Sequence, residues 1–292
     1  MHKSSLQYLR CVKCGNSLNL ETFETTTEII EGLLACTHCT GSYPIISSIP
    51  FLVEDLSLFF SIRTKIGGYL LLNVKNKKLK TLIRKSLQEI KKIGDDTTDL
   101  EKNWVGIYKK SKPAAFESKI KNMIKKLPRC HFVVEHGCSI GQMSEIVARY
   151  HGTVFGIDKS FFALLEAKKR KIKNADFILA DSLSRPFGTM KFDIVLALNV
   201  LELIEPEKLL TIIKTQAKKF LILSDPYDYE RGKSSVKVKL DAKLLRSKLQ
   251  QLGFKITRGT AKPSFIPWKL DVNSRLALHY KVDLILAVLS GK

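Results

Sequence analysis

The chain has 292 residues, of which 45% are hydrophobic and 26% charged, and a formal net charge of +21. These proportions lie near ordinary globular values and exclude a disordered or collagen-like chain. At about 100–200 residues per domain, the length holds one catalytic domain and a smaller module. The charge favours polyanions such as RNA or an acidic membrane surface over cationic partners, with a lysine-rich solvated surface as the plain alternative. It is uneven: residues 1–60 carry 3 Lys and Arg against 6 Asp and Glu, residues 61–130 carry 19 against 6, and residues 131–292 carry 27 against 16. The opening MHKSSLQYLRCVKC lacks the apolar run of a secretory signal, which predicts a cytoplasmic protein.

In chain order, the first pattern is Cys11-x-x-Cys14 followed by Cys36-x-x-Cys39. Two such knuckles, each beside turn-forming residues, suit four thiolates around one tetrahedral Zn2+. A redox dithiol needs only one pair. The span between them alternates like a hairpin, and a module of about 50 residues has too little core to do without a staple. His38 falls inside the second knuckle and is read as a bystander. The following YPIISSIPFLV, with the knuckles, resembles the zinc-ribbon family that activates RNA and protein methyltransferases, over roughly residues 6–54. The resemblance implies a structural or substrate-positioning module, since four thiolates leave the metal no open position.

Residues 57–126 read as a basic helical linker or lid, with a loop near 94–99. The apolar stretch 56–72 is interrupted by Arg63, Lys65 and Gly67-Gly68 and makes a poor membrane span. Trp104, Tyr108 and Phe116 are spaced to pack over the next domain or to cover its ligand.

From residue 127 onward short apolar runs alternate with amphipathic stretches, which predicts an α/β doubly wound, Rossmann-like sheet of seven strands. Strands are expected at 131–135, 153–157, 176–179, 192–197, 220–223, 255–258 and 282–288, and helices at 142–150, 161–170, 206–218 and 241–252. The predicted organisation is a zinc ribbon over 1–56, the linker over 57–126 and a catalytic domain over 127–292.

The first of these strands ends in VVEHGCSIG and enters a helix, so Gly137 and Gly141 let backbone approach a ligand closely. A Gly-x-x-x-Gly turn alone also suits nicotinamide and flavin sites. The second strand ends at Asp158, placed to accept hydrogen bonds from a ribose. The third leads to Asp181 and Ser182, and the fourth, FDIVLALNVLELI, carries Asn199. In this order the segments resemble the class I S-adenosylmethionine-dependent methyltransferase superfamily, over roughly residues 119–292. The resemblance implies a methionine-binding loop of Glu135, Gly137, Cys138 and Gly141, a ribose anchor at Asp158, adenine-side residues Asp181 and Ser182, and Asn199 beside the methyl group. Ser139 stands where the family most often has glycine.

Methyl transfer needs the acceptor positioned in line with an activated carbon, and a base is optional. Glu202, Asp225 and Tyr227 are the candidate acceptor-side groups, with a helix-start or turn role as the alternative for each. SDPYDY is not the Asp-Pro-Pro-Tyr motif of base-amine methylating enzymes, because it follows the fifth strand and not the fourth. The leading expectation is a methyltransferase acting on a small molecule or peptide-like acceptor. An RNA or translation-factor methyltransferase gripping phosphates through residues 61–130 and a non-catalytic binding protein are the alternatives.

Overall fold

The structure is a computed structural model that describes every residue except 92–93, 112–114, 234 and 291–292. Residues 92–93 and 112–114 belong to the predicted linker and lie outside the described residues.

The N-terminal module begins with a 3-10 turn over Lys3–Tyr8, followed by β1 (Leu18–Thr25), β2 (Ile29–Cys36), β3 (Ser42–Ile46) and β4 (Ile49–Leu52). The four strands form an antiparallel meander. The predicted hairpin between the knuckles is β1–β2. The β3–β4 reversal places Ser47 and Ser48 at φ +52° and +63°, the left-handed pair that a tight hairpin turn needs.

The linker folds as α1 (Leu56–Ser61), α2 (Thr64–Asn73), α3 (Lys77–Gln88), α4 (Thr98–Lys110) and α5 (Ala115–Lys126). Asp55 and Asn76 cap α1 and α3 by accepting from the free first-turn N–H groups. The apolar stretch 56–72 buries Phe59, Phe60, Ile66 and Leu70, so it is core helix. Among the described residues no helix is long and apolar enough to cross a membrane.

The remainder alternates as expected: β5 (Phe132–His136), α6 (Gln142–Ala148), β6 (Thr153–Asp158), α7 (Phe161–Lys169), β7 (Ala175–Ala180), β8 (Phe192–Leu198), α8 (Pro206–Gln216), β9 (Ala217–Asp225), α9 (Ala242–Gln251), β10 (Phe254–Ile256), β11 (Ile266–Asp271) and β12 (Ala277–Leu289). β5 to β9 are parallel in the order β7-β6-β5-β8-β9, with β12 antiparallel on β9 and β10 beyond it. β7 is buried throughout, as a central parallel strand covered on both faces must be.

Two features depart from the seven-strand expectation. β11 pairs with β12, which is longer than predicted, and β4 pairs in parallel with β7 through Phe51 opposite Leu179 and Leu52 opposite Ala180. The ribbon therefore continues the sheet, which has twelve strands among the described residues. A smaller correction concerns residues 217–218, expected as helix, which open β9, and residue 258, expected as strand, which begins a 3-10 turn.

Polar contacts reinforce the ribbon's junction with the sheet. Asp176 on β7 accepts from the Ser5 hydroxyl at 2.6 Å and the His2 N–H at 2.9 Å, and Lys168 bridges Asp176 and Glu28. Tyr8 packs edge-on against Phe132 and Phe155.

At the other end, Asp283 on β12 receives both Arg246 nitrogens at 2.5 and 3.1 Å, the Tyr227 hydroxyl at 2.7 Å and the Ser264 N–H at 2.9 Å. Burial opposes its charge, yet Arg246, Ser264 and Tyr227 hold the carboxyl below the usual aspartate range. Its stabilising contribution is thus complete above the unfolded value near 4 and is lost as pH falls through the lower folded value. Asp283→Asn leaves Arg246 without its counter-charge and is expected to cost about 3 kcal/mol at pH 7. Urea unfolding at pH 7 and pH 3 checks this, with the difference between variant and parent shrinking at the lower pH.

Candidate cofactor site and metal centre

The ends of β5, β6 and β8 meet α4, α5 and β11 around a cavity of about 330 Å³. Its floor is the β5–α6 turn, where Gly137, Ser139 and Gly141 take φ of +68°, +47° and +71°. A Cβ on Gly137 would lie 2.2 Å from Val200 Cγ1, so this turn closes against the β8 end only with glycine. Of the residues singled out in the sequence, Glu135, Gly137, Cys138, Asp158 and Asn199 line the cavity. Gly141 sits behind the turn against Ala167 and Phe177.

Glu135 is buried with the Ser144 hydroxyl donating to it, and burial pushes its carboxyl up to about 8. Asp158 accepts the Ser139 and Ser160 N–H groups, each at 2.8 Å, which fixes the carboxylate at the cavity edge. Burial raises its pKa against those two bonds. Asn199, at φ +54°, accepts from the Ser224 hydroxyl at 2.8 Å, which orients its amide. A buried acid with no cation beside it among the described residues, a second acid at the end of β6 and a glycine cradle between them suit a ligand with an ammonium group and a ribose.

The raised Glu135 value has a consequence for stability. Between about pH 4.5 and pH 8 the unfolded chain releases a proton that the folded chain keeps, so this group costs stability as pH rises. Glu135→Gln keeps an acceptor for Ser144 and cannot ionise. It is expected to stabilise the ligand-free chain by about 2 kcal/mol at pH 8.5 and to change little at pH 4.5. Thermal denaturation at the two pH values measures it.

The other predicted site residues lie off the cavity wall. Asp181 pairs with Lys159 at 2.8 Å, and Ser182 is buried in the turn after β7. Glu202 is fully buried and meets Arg231 at 3.3 Å; burial lifts its carboxyl to about 8 against the pull of that guanidinium. Asp225 is buried, its carboxyl raised by burial to about 7 and accepting the Tyr227 N–H at 2.7 Å. Tyr227 donates its hydroxyl to Asp283. Glu202 thus reaches the cavity only through Arg231, while Asp225 and Tyr227 brace the turn after β9.

The lid supplies what residue spacing left open. Trp104 and Tyr108 on α4, Phe116 on α5 and Trp268 on β11 all line the cavity, with Glu101 and Arg231 beside them. Arg231 was not anticipated, because one arginine in a turn leaves no periodic signal. Arg275 sits in the exposed β11–β12 turn.

In the ribbon, the sulfurs of Cys11, Cys14, Cys36 and Cys39 all lie within 4.8 Å of one another, with 3.5 Å between Cys11 and Cys39 and 3.4 Å between Cys14 and Cys36. A tetrahedral zinc with Zn–S of about 2.3 Å separates its sulfurs by about 3.8 Å, so the cluster fits that ion. His2, Glu28 and Asp176 also converge, but Lys168 and the Met1 amine already engage their carboxylates.

Residues 134–219, which hold the β5–α6 turn, Asp158, Asn199 and Glu202, match the family model described as a methyltransferase domain. A chain of the complex between the Haloferax volcanii Trm112 methyltransferase activator and the putative methyltransferase superposes with a TM-score of 0.52 at 14% identity, over 67% of this chain and 98% of that one. The YcgJ protein from Bacillus subtilis gives 0.50 at 13% identity, over 60% and 98%. Magnesium protoporphyrin IX methyltransferase from Synechocystis, solved with bound S-adenosylhomocysteine, gives 0.48 at 19%, over 66% and 95%. No curated protein matches the chain in sequence. Outside the matched segment lie the ribbon, helices α1 to α5 and the turn after β9 that carries Arg231.

Proposed function

We propose that this chain transfers a methyl group from S-adenosylmethionine to a small-molecule or peptide-like acceptor held under the α4–α5 lid. The observation that carries the reading is one cavity with two unlike walls: the β5–α6 turn with Glu135 and Asp158 on one side, and Trp104, Tyr108, Phe116 and Trp268 on the other. When bound, S-adenosylmethionine supplies an electrophilic methyl carbon on a sulfonium.

The chain's own residues do the rest. Glu135 accepts from the methionine ammonium, and that cation draws its carboxyl back toward ionisation. Asp158 accepts from the ribose hydroxyls. Asn199, held by Ser224, faces the reacting end. The aromatic lid excludes water and fixes the acceptor, which is where positioning catalysis draws its rate. No carboxylate or hydroxyl among Glu202, Asp225 and Tyr227 touches the cavity, so the reading assigns them support and requires no general base from them.

The ribbon is read as a structural zinc module joined in cis to the domain it steadies, with the chain divided at 1–56, 57–126 and 127–292. Its β4 covers the β7 edge one residue short of Asp181.

Methyl label from S-adenosylmethionine is followed in cell extract, with and without ribonuclease, after separating small molecules from macromolecules. Label in the small-molecule or peptide fraction is expected. Label confined to ribonuclease-sensitive material would replace this acceptor with RNA, bound through the basic segment 61–130.

A further inference from the structure

Among the described residues two cations line the cavity: Lys159, which pairs with Asp181, and Arg231 on the aromatic side. Arg231, in the turn after β9, stacks over the Trp104 ring with its guanidinium carbon 3.9 Å from the centroid, and its side chain is 19% exposed. It donates to Glu202 at 3.3 Å and to the Tyr108 hydroxyl at 3.4 Å. Both bonds are long for an arginine. Only these two of the five N–H groups find acceptors among the described residues.

Two groups of aromatic rings accompany it. Trp104 and Tyr108 lie 5.8 Å apart, Trp268 meets Phe116 at 5.4 Å, and Tyr280 meets Trp268 at 5.1 Å. None of these residues comes from β5, β6 or β7, which carry the cofactor turn. The acids on the lid side of the cavity are Glu101, whose carboxylate is held by Arg63 at 2.7 Å, and Glu117. Glu202 sits behind Arg231 and out of the cavity.

We infer that the acceptor is a planar aromatic acid, its ring laid against the Trp104, Phe116 and Trp268 wall and its carboxylate received by the free edge of the Arg231 guanidinium. This rests on the methyltransferase reading above and specifies its substrate class. A guanidinium stacked on an indole keeps its in-plane donors free for a bidentate carboxylate, a geometry that lysine cannot copy. Glu202 holds the arginine from the far side. Its own burial favours the protonated form, which leaves the guanidinium charge for the ligand. A flat aromatic body uses the wall without ordering a flexible chain.

The chain provides its own reporter, because its two tryptophans, Trp104 and Trp268, both line the cavity. Protein saturated with S-adenosylhomocysteine is titrated with benzoate and 4-hydroxybenzoate and with their primary amides, following tryptophan fluorescence excited at the red edge. The acids are expected to quench saturably, at least about 10-fold tighter than the amides. Arg231→Gln should erase that preference and Arg231→Lys should retain part of it. S-adenosylhomocysteine affinity, read by calorimetry, should stay within about twofold in both. Equal binding of acid and amide, or no binding of the acids, overturns the inference. So does a loss of S-adenosylhomocysteine affinity in Arg231→Gln, which would assign the arginine to the cofactor. Failure of the parent chain to bind S-adenosylhomocysteine would instead strike the methyltransferase reading itself.

Discussion

Replacing Cys36 by serine, or stripping the metal with a chelator, is expected to unfold β1 to β4 and to take the stability of the neighbouring sheet edge with them. In small zinc modules the metal contributes about 10–16 kcal/mol, which is the folding free energy of the module itself. Apart from the metal, the ribbon is held by the β4–β7 pairing, by the Asp176–Ser5 and Lys168–Glu28 contacts, and by strand residues such as Leu34, Tyr43, Ile45 and Phe51 that pack in the domain's own cores. Because β4 is hydrogen-bonded to β7, unfolding the ribbon bares a central strand. Metal analysis should return one zinc per chain for the parent and clearly less for Cys36→Ser. Hydrogen exchange over residues 18–52 should then approach the unfolded rate, with partial loss of protection in β7. Full protection of β1 to β4 in metal-free protein would contradict the account.

Gly137→Ala is expected to weaken S-adenosylhomocysteine binding by about two orders of magnitude. The added methyl meets Val200 at 2.2 Å, and the backbone at φ +68° disfavours any Cβ. Backbone strain of about 1–3 kcal/mol and overpacking of about 1–3 kcal/mol both act on the turn proposed to cradle the cofactor. Calorimetric titration measures the loss. Adding Val200→Ala should recover the steric part and leave the backbone part, so the double variant falls between the single variant and the parent. Unchanged affinity in Gly137→Ala would remove this turn from the cofactor site.

Much of the core was legible because each signal was local. VVEHGCSIG announces a strand, a left-handed turn and a helix within nine residues, and the apolar runs of β6, β7 and β8 are those of strands covered on both faces. The zinc knuckles were legible for the same reason, since Cys-x-x-Cys spacing is itself the ligand geometry. The β4–β7 pairing was not, because it joins residues about 128 apart and parallel pairing leaves no turn between partners. The β3–β4 hairpin was obscured by Ser47-Ser48 doing what Asn-Gly does more visibly. β11 was hidden because Pro267 interrupts IPWKLD, although it lies on the outer side where a missing donor costs little.

The site divides along the same line. Glu135, Gly137, Cys138, Asp158 and Asn199 line the cavity because the doubly wound topology brings strand ends together. Asp181 and Ser182 follow a strand end as well, yet the turn after β7 points them to Lys159 and into the interior. The residues of the facing wall come from α4, α5, β11 and the turn after β9, whose tertiary placement spacing does not encode. Trp104 and Tyr108 show the i, i+4 relation of one helix face, but nothing in DPYDYERG marks Arg231 as the residue that meets them.

The account stands most directly on cofactor binding by the intact chain. Isothermal titration of zinc-loaded protein with S-adenosylhomocysteine is predicted to give one saturable site per chain, and Asp158→Ala is predicted to remove it while leaving the fold intact by circular dichroism. Folded, zinc-loaded parent protein that takes up no S-adenosylhomocysteine would contradict it.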